Sequence, residues 1–459
     1  MKILLVMPDA QMHKIRLGPL VRSMREMPLS ICTLASLTPM YPDIDLRLVD
    51  GSVENVPLDY DADLVGISII TGCANRAYAI ADHFRKRKIP VVLGGVHVTL
   101  LPGEAMQHAD SIVIGRAEQT WPQLIEDFRA GSLKDIYLEH ELTGDMLYSV
   151  PPPRRDLHKR SRYMIPDSVQ ATRGCKKACD FCTVPAVWPK FLKRPVEDVI
   201  QDVQLTKGKY IAFNDVSIAE DIDYAKELFR AMIPLGKRWG GLATINIMKD
   251  PELLSLMKAS GCVYLLFGFE SNDRPTLTSM GKGFNLSMAY DEIMHVMRGL
   301  RISVQGCFVF GFDHDTREVF ANTVERVNEL GIDIPRFSLY TPYPGSLLFK
   351  RLLKENRILS FNWDDYDTMH VVIQPSQMTP EELYQGFKWA YREAFKIRHI
   401  RKRMKGLTCN SIINFFGNLT YKIFVRRLFN EQKYALPYST HDPGGAPDDT
   451  FYRDRFLEN

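Results

Sequence analysis

Short, uninterrupted apolar runs alternate with longer amphipathic stretches through most of the chain. The first runs occupy residues 2–7, 46–49, 64–70, 91–93 and 111–114. After them come Pro8, Asp50-Gly51, Thr71-Gly72, Gly94-Gly95 and Gly115. Amphipathic stretches, such as 74–87 and 121–129, lie between. A continuous apolar strand is covered on both faces, and strands alternating with helices form a parallel sheet. The pattern predicts an α/β domain over residues 1–142, with ligands beyond the carboxyl ends of its strands.

Residues 143–164, with Pro151-Pro152-Pro153-Arg154-Arg155, lack periodicity and read as a linker. From residue 165 the alternation resumes, with strands expected at 168–172, 210–213, 242–247, 263–269, 302–310 and 336–340. Helical spacing falls between them, for example Val196, Val199, Ile200 and Val203 on one face. Six strand–helix units predict a (β/α)6 partial barrel over 165–350, with functional residues at its carboxyl-terminal rim. Residues 351–459 read as helical and basic. From residue 396 to 430 there are nine Lys or Arg and no Asp or Glu, and the segment from Pro437 looks loosely ordered.

Composition narrows the classes. With 459 residues, 45% apolar and 25% charged, the chain is ordinary for a soluble globular protein, which excludes a disordered, collagen-like or coiled-coil character. The formal net charge of +3 gives no ground for nucleic acid as a partner. The apolar start of the chain is too short for a secretory core, and no run approaches the ~18 apolar residues a membrane span needs.

Eight cysteines are too few for a disulfide scaffold, yet three of them, Cys175, Cys179 and Cys182, fall within eight residues. Three thiolates on one loop can hold three irons of a cubane cluster and leave the fourth open to a small molecule. They imply a reducing, cytoplasmic compartment. Arg173, Lys176 and Lys177 are expected to lower the thiol pKa values. The alternative is structural zinc, which wants four ligands, usually in two separated pairs. The nearest histidines in sequence are His158 and, far downstream, His295, with His314 beyond it.

The spacing Cys175-x3-Cys179-x2-Cys182, with aromatic Phe181 before the last cysteine, resembles the radical S-adenosylmethionine (SAM) superfamily. Further segments resemble it in order: Phe213-Asn214-Asp215, Leu266 to Ser271, Gly306 to Phe312, and Thr341 to Ser346. The resemblance implies a [4Fe-4S] cluster on the three cysteines, with SAM bound through the open iron. It places Asn214 and Asp215 near the methionine end of SAM, and Glu270 and Ser271 at its ribose. It also implies a 5′-deoxyadenosyl radical that abstracts hydrogen, and reduced flavodoxin or ferredoxin as electron donor.

The N-terminal domain is similar to the Rossmann-like, flavodoxin-order cobalamin domain of the B12-dependent radical SAM class. The resemblance rests on Leu93 to Thr99, Pro102-Gly103-Glu104, Ile114-Gly115 and Ala117-Glu118, with Ser68 and Thr71 after the third strand. It implies that Ser68, Thr71, Gly94, Gly95, His97, Thr99, Gly115 and Glu118 surround a corrin and its nucleotide tail. Asp9, His13 and Gly18 are spaced too widely for the mutase motif that gives cobalt a histidine, so base-off cobalamin is expected. The alternative is a Rossmann-like module that binds no corrin.

The basic, apolar C-terminal segment suits an anionic membrane surface, or equally a helix packed across the barrel with its charges solvated. Tyr340, Tyr343, Phe361, Trp363 and Tyr366 suit an apolar pocket or plain core. The resemblance favours methylation of an unactivated carbon on a lipid, terpenoid, tetrapyrrole or natural product. Cyclisation or oxidation of a similar substrate is the alternative. A non-catalytic cluster- or corrin-binding sensor is the alternative outside enzymology. tRNA methylthiolation fits less well, because Cys32 and Cys73 are isolated.

Overall fold

The computed structural model describes residues 1–9, 14–17, 20–139, 150–404 and 411–428. His13, Gly18 and the segment from Pro437 lie outside the described residues, as does most of the first half of the expected linker.

The N-terminal strands are β1 (Lys2–Met7), β2 (Lys14–Leu17), β3 (Leu20–Glu26), β4 (Asp45–Asp50), β5 (Leu64–Ser68), β6 (Val91–Gly94), β7 (Ser111–Ile114) and β8 (Ile136–Leu138). Six of them form one parallel sheet in the order β4-β1-β5-β6-β7-β8. This is the expected flavodoxin order with one edge strand added. The unbroken apolar run of β1 has a direct cause: Ile3, Leu4, Leu5 and Val6 are all fully buried, with helices on both faces. β8 escaped the sequence pattern because only Tyr137 is buried, with Ile136 and Leu138 exposed at the edge. β2 and β3 form a hairpin outside the main sheet, and β9 (Tyr163–Ile165) pairs parallel with β3. The end of the expected linker is therefore tied to the first domain.

The second sheet contains β10 (Ser168–Val169), β13 (Tyr210–Phe213), β14 (Arg238–Ala243), β15 (Cys262–Glu270), β16 (Ser303–Phe310) and β17 (Ile334–Leu339). They run parallel in sequence order, as a partial barrel requires. A short antiparallel pair, β11 (Thr172–Arg173) and β12 (Leu192–Lys193), brackets the cysteine segment. One strand was misplaced: β14 ends at Ala243, and residues 245–249 form a 3-10 turn instead. Gly240 and Gly241 hid it, because glycine weakens a strand signal. Packing excludes a side chain at Gly240 and crowds one at Gly241. A Cβ on Gly240 would lie 2.9 Å from the Tyr264 ring, and one on Gly241 would lie 3.3 Å from the Phe213 Cβ.

The C-terminal helices close the amino-terminal end of this barrel. In the helix Ser411–Leu428, Asn414 Nδ2 donates to Asp333 Oδ1 at 2.7 Å and Asn418 Nδ2 donates to the Asp333 carbonyl at 2.9 Å. The Tyr421 hydroxyl accepts from Gln305 Nε2 inside the barrel at 2.9 Å. Packing, rather than a membrane surface, is the role these contacts fit. No helix among the described residues is long and apolar enough to cross a membrane. The basic run is also less bare than its sequence suggests, since Glu393 binds Lys396, Arg398 and His399. Burial would raise the Glu393 carboxyl, but those partners win and hold it down to about 2. A depressed carboxyl stabilises above its unfolded value and loses that contribution as pH falls towards its folded one. The junction at residues 393–399 is therefore expected to loosen between about pH 4.5 and pH 2, read by hydrogen exchange.

Candidate active site

The cysteine loop is fed by β11, and a buried carboxylate fixes its root. Asp215, just past β13, accepts from the Ala171 N–H at 3.2 Å and from Thr172 Oγ1 at 2.6 Å, and it also takes the Thr172 N–H. Burial pushes its pKa up to about 6 against these donors. Asp215 thus positions the loop. Asp215→Ala orphans buried N–H groups and is expected to cost about 3 kcal/mol of stability. Its iron content after reconstitution should fall with it.

Further along, the Asp180 N–H donates to Met280 O at 3.1 Å, and Asp180 O accepts from the Leu348 N–H at 2.8 Å. Tyr340 donates to the Asp180 carboxylate, and Phe181 meets the Tyr340 ring edge-on at 6.3 Å. Gly281 has φ +75°, and a Cβ there would lie 2.7 Å from Ala178 O. The thiols of Cys175, Cys179 and Cys182 are close enough to raise one another electrostatically.

The flanking cations do not prevail: burial outweighs Lys177, which lowers Cys175 through its N–H, donating to Cys175 Sγ at 3.4 Å, and through its charge. Burial raises all three, Cys179 to about 12. Arg173 instead pairs with Glu118 across the domains. Lys176 lies 3.8 Å from Asp221 and over the Phe191 ring, and Lys177 lies 4.0 Å from Glu220. The loop positions therefore suit ligands whose charge is carried by a cluster. The zinc reading asks for four ligands, and the segment brings three cysteines.

Glu270 ends β15 in a left-handed conformation, φ +63°, beside a register shift after Gly268. Such strain persists only where the surroundings enforce it. Here Lys282 Nζ donates to Glu270 Oε1 at 2.6 Å and to Gly268 O at 3.0 Å. Ser271 Oγ accepts from the Asp273 N–H at 3.0 Å. Both residues are buried at the rim.

Beside the loop opens a cavity of about 1840 Å³. It runs from the carboxyl ends of β5, β6 and β7 into the barrel lumen, and its lining is mostly apolar. Of the expected residues, Ser68, Thr71, Gly94, Gly95, Thr99, Gly115, Glu118, Asn214 and Asp215 line it. The cysteines, Phe181, Glu270, Ser271 and His97 do not. His97 departs most from expectation. It is fully buried, with Nδ1 3.3 Å from Thr71 Oγ1, Nε2 3.3 Å from Glu104 Oε1, and its ring edge-on to Trp363. It is a core histidine that fixes the turn after β5.

Gly95 is glycine because of the backbone around it: φ is +102°, and a Cβ would lie 2.7 Å from Ile69 O. Gly95→Ala is expected to destabilise the domain by about 2 kcal/mol or more. The readouts are the denaturant midpoint and cobalamin retention. Thr99 Oγ1 donates to Gly95 O at 2.9 Å and accepts from the Gly115 N–H at 3.0 Å, so it staples two strand ends together.

Sequence reasoning missed several lining residues that only the topology gathers. Arg76, on the helix after β5, is buried 3.7 Å from Asp9. Asp364 and Tyr366 arrive on a C-terminal strap, held by Trp363 Nε1 donating to Glu104 at 2.9 Å. Arg336, Gln305 and Tyr264 line the lumen. Buried polar atoms without a hydrogen-bond partner gather at the domain edge, at Arg76 Nη1, Asp364 Oδ1 and Glu118 Oε2. A large cavity edged by such atoms fits a bulky cofactor that carries many polar groups.

Comparison with known proteins agrees. Residues 169–345 match the radical SAM superfamily model, and residues 43–125 match the B12 binding domain model. The bacteriochlorophyllide d C-12(1)-methyltransferase of Chlorobaculum tepidum is 33% identical over 420 residues, covering 88% of this chain and 90% of that protein. The bacteriochlorophyllide d C-8(2)-methyltransferase of the same organism is 29% identical, covering 86% and 91%. In fold, the radical SAM methyltransferase TsrM of Kitasatospora setae, solved with cobalamin and a [4Fe-4S] cluster, superposes with TM-score 0.63 at 14% identity, covering 93% of this chain and 99% of that one. The chain belongs to the cobalamin-dependent radical SAM methyltransferases, enzymes that work with a [4Fe-4S] cluster, SAM and cobalamin.

Proposed function

We propose that this enzyme methylates an unactivated carbon of a large apolar substrate, a tetrapyrrole of the bacteriochlorophyllide kind. The observation that carries the reading is the continuous cavity, which joins the strand ends of the N-terminal domain to the barrel lumen beside the cysteine loop. In this reading residues 1–142 hold the corrin and residues 165–350 hold the cluster and SAM. Residues 351–404 and 411–428 brace the barrel.

Cys175, Cys179 and Cys182 hold three irons, and Asp215, Asp180 and Gly281 fix their loop. Glu270 and Ser271 orient the ribose of SAM, and Asn214 lies towards its methionine end. Ser68, Thr71, Gly94, Gly95, Thr99, Gly115 and Glu118 surround the corrin's tail. When bound, these groups together supply hydrogen-atom abstraction and methyl transfer. The protein's own contribution is to hold the reacting carbon in a water-poor lumen. Buried thiols call for a reducing cytoplasm, with reduced flavodoxin or ferredoxin as donor.

The test uses the anaerobically reconstituted chain with methylcobalamin, SAM, a reductant and bacteriochlorophyllide d. The expected result is 5′-deoxyadenosine and S-adenosylhomocysteine in similar amounts, with a methylated pigment. 5′-Deoxyadenosine without S-adenosylhomocysteine would point to cyclisation or oxidation instead. Neither product would favour the sensor.

A further inference from the structure

Alternate residues of the barrel strands face the lumen, and on β17 one of them is Arg336. The strand register sets it level with Cys307 of β16 and Gly268 of β15, two residues before Glu270. Other guanidinium groups of this domain have fixed acceptors: Arg155 and Arg194 share Asp202, at 2.7 and 3.2 Å, Arg173 holds Glu118, and Arg403 donates to Asn328, Asn418 and the Ala394 carbonyl. Arg336 has none. Among the described residues it makes no ion pair and no hydrogen bond.

The groups that face it are Tyr421, Cys307, Tyr391 and Tyr264. All four are neutral near pH 7, since burial raises each, Cys307 to about 12. Their polar atoms are engaged elsewhere. Tyr264 donates to Gln305, the Tyr421 hydroxyl accepts from Gln305 at 2.9 Å, and Tyr391 donates to Phe337 O at 2.7 Å.

Arg336 is half-buried, and a guanidinium drawn partly out of bulk water without a counter-charge gains when a ligand supplies one. Its planar fork matches a carboxylate through two parallel hydrogen bonds. Ile211, Ala212, Leu242, Leu266, Ile334 and Phe424 add apolar surface to the same cavity, and its carboxylates, among them Glu26, Asp364, Asp365 and Asp367, form no ion pair with Arg336 among the described residues. Arg336 is the cation of this part of the cavity, which matches a single negative charge rather than a phosphate dianion.

We propose that Arg336 binds a carboxylate of the substrate, so that the enzyme takes a large apolar acid and discriminates against its ester. This rests on the lumen being the substrate site. It specifies what the site reads: an apolar body of any ring system, presented with one acid group towards β17.

The test needs neither cofactors nor the native substrate. Pyrenebutyrate and its methyl ester, two flat apolar probes differing only in charge, are titrated into the full chain by fluorescence. The native protein should bind the acid at least about tenfold more tightly than the ester. Arg336→Gln should level the two by weakening the acid alone, and Arg336→Lys should keep part of the preference. The ester titration in each variant reports whether the lumen is still formed. Equal binding of acid and ester to the native protein would overturn the proposal. So would an acid preference that survives Arg336→Gln, or no binding of either probe. Failure of the methylation reading is a separate outcome: the acid preference would stand while the reconstituted enzyme produced no S-adenosylhomocysteine.

Discussion

Cys179→Ala is expected to fold like the native chain, yet to lose formation of 5′-deoxyadenosine by on the order of a thousandfold. The physical reason is the absence of reserve donors. In the proposed site three thiols serve three irons, and the cysteine segment brings no fourth thiol to replace one of them. Folding should survive, because the loop is anchored by its neighbours: the Asp180 N–H on Met280 O, the Leu348 N–H on Asp180 O, and Asp215 at its root. Removing a buried thiol removes little apolar contact by comparison. The checks are iron content, the thermal midpoint and product formation, measured on one preparation. A variant that retained native turnover would show that Cys179 carries no iron.

Glu270→Ala is the second large effect, and it acts on stability and on SAM together. The Glu270 carboxylate compensates Lys282, whose ammonium group is buried beside Gly268 O. Deleting one member of such a pair leaves an unpaired buried charge, at a cost of about 3–5 kcal/mol. The left-handed backbone at φ +63° is no better for alanine than for glutamate, so no strain is released in return. Glu270→Gln keeps an acceptor for Lys282. It should fold nearly normally while the KM for SAM rises about tenfold, because the proposed contact with the ribose is stronger with a charged acceptor. Lys282→Met should destabilise by a similar amount through the opposite orphaned charge. An unfolding midpoint unchanged in both Glu270→Ala and Lys282→Met would contradict this account of the rim.

Much of this architecture can be read from periodicity alone. Ile3 to Val6 form a fully apolar run because both faces of that strand are covered, and the strands of the barrel follow the same rule. What periodicity cannot show is close packing of one backbone on another ring. Gly240 and Gly241 look like a loop, yet they lie in β14 because Tyr264 leaves no room for a side chain at the first and Phe213 crowds one at the second. The β2–β3 hairpin and the edge strand β8 bury too little to leave a pattern.

At the site, the small residues expected after β5, β6 and β7 do line the cavity, while the cysteines lie beside it. His97 misled because a histidine beside two glycines looks like a ligand contact. Its ring is instead held by Thr71, Glu104 and Trp363, and Trp363 lies more than two hundred residues away in the chain. Lys176 and Lys177 misled because their ammonium groups turn towards Asp221 and Glu220, and because the burial that outweighs Lys177 at Cys175 leaves no mark in the sequence. Arg336 could not be singled out at all. In Ile334-Pro335-Arg336-Phe337-Ser338-Leu339 it looks like a solvent-facing residue of a half-buried strand, and only closure of the barrel puts that face inside.

The central claim is that the loop leaves one iron of its cluster open to SAM. Electron paramagnetic resonance of the reduced, anaerobically reconstituted chain tests this directly, recorded with and without SAM and alongside a metal count. The account predicts about four irons per chain and a signal that changes when SAM is added. A single zinc per chain, or a cluster signal indifferent to SAM, would contradict it.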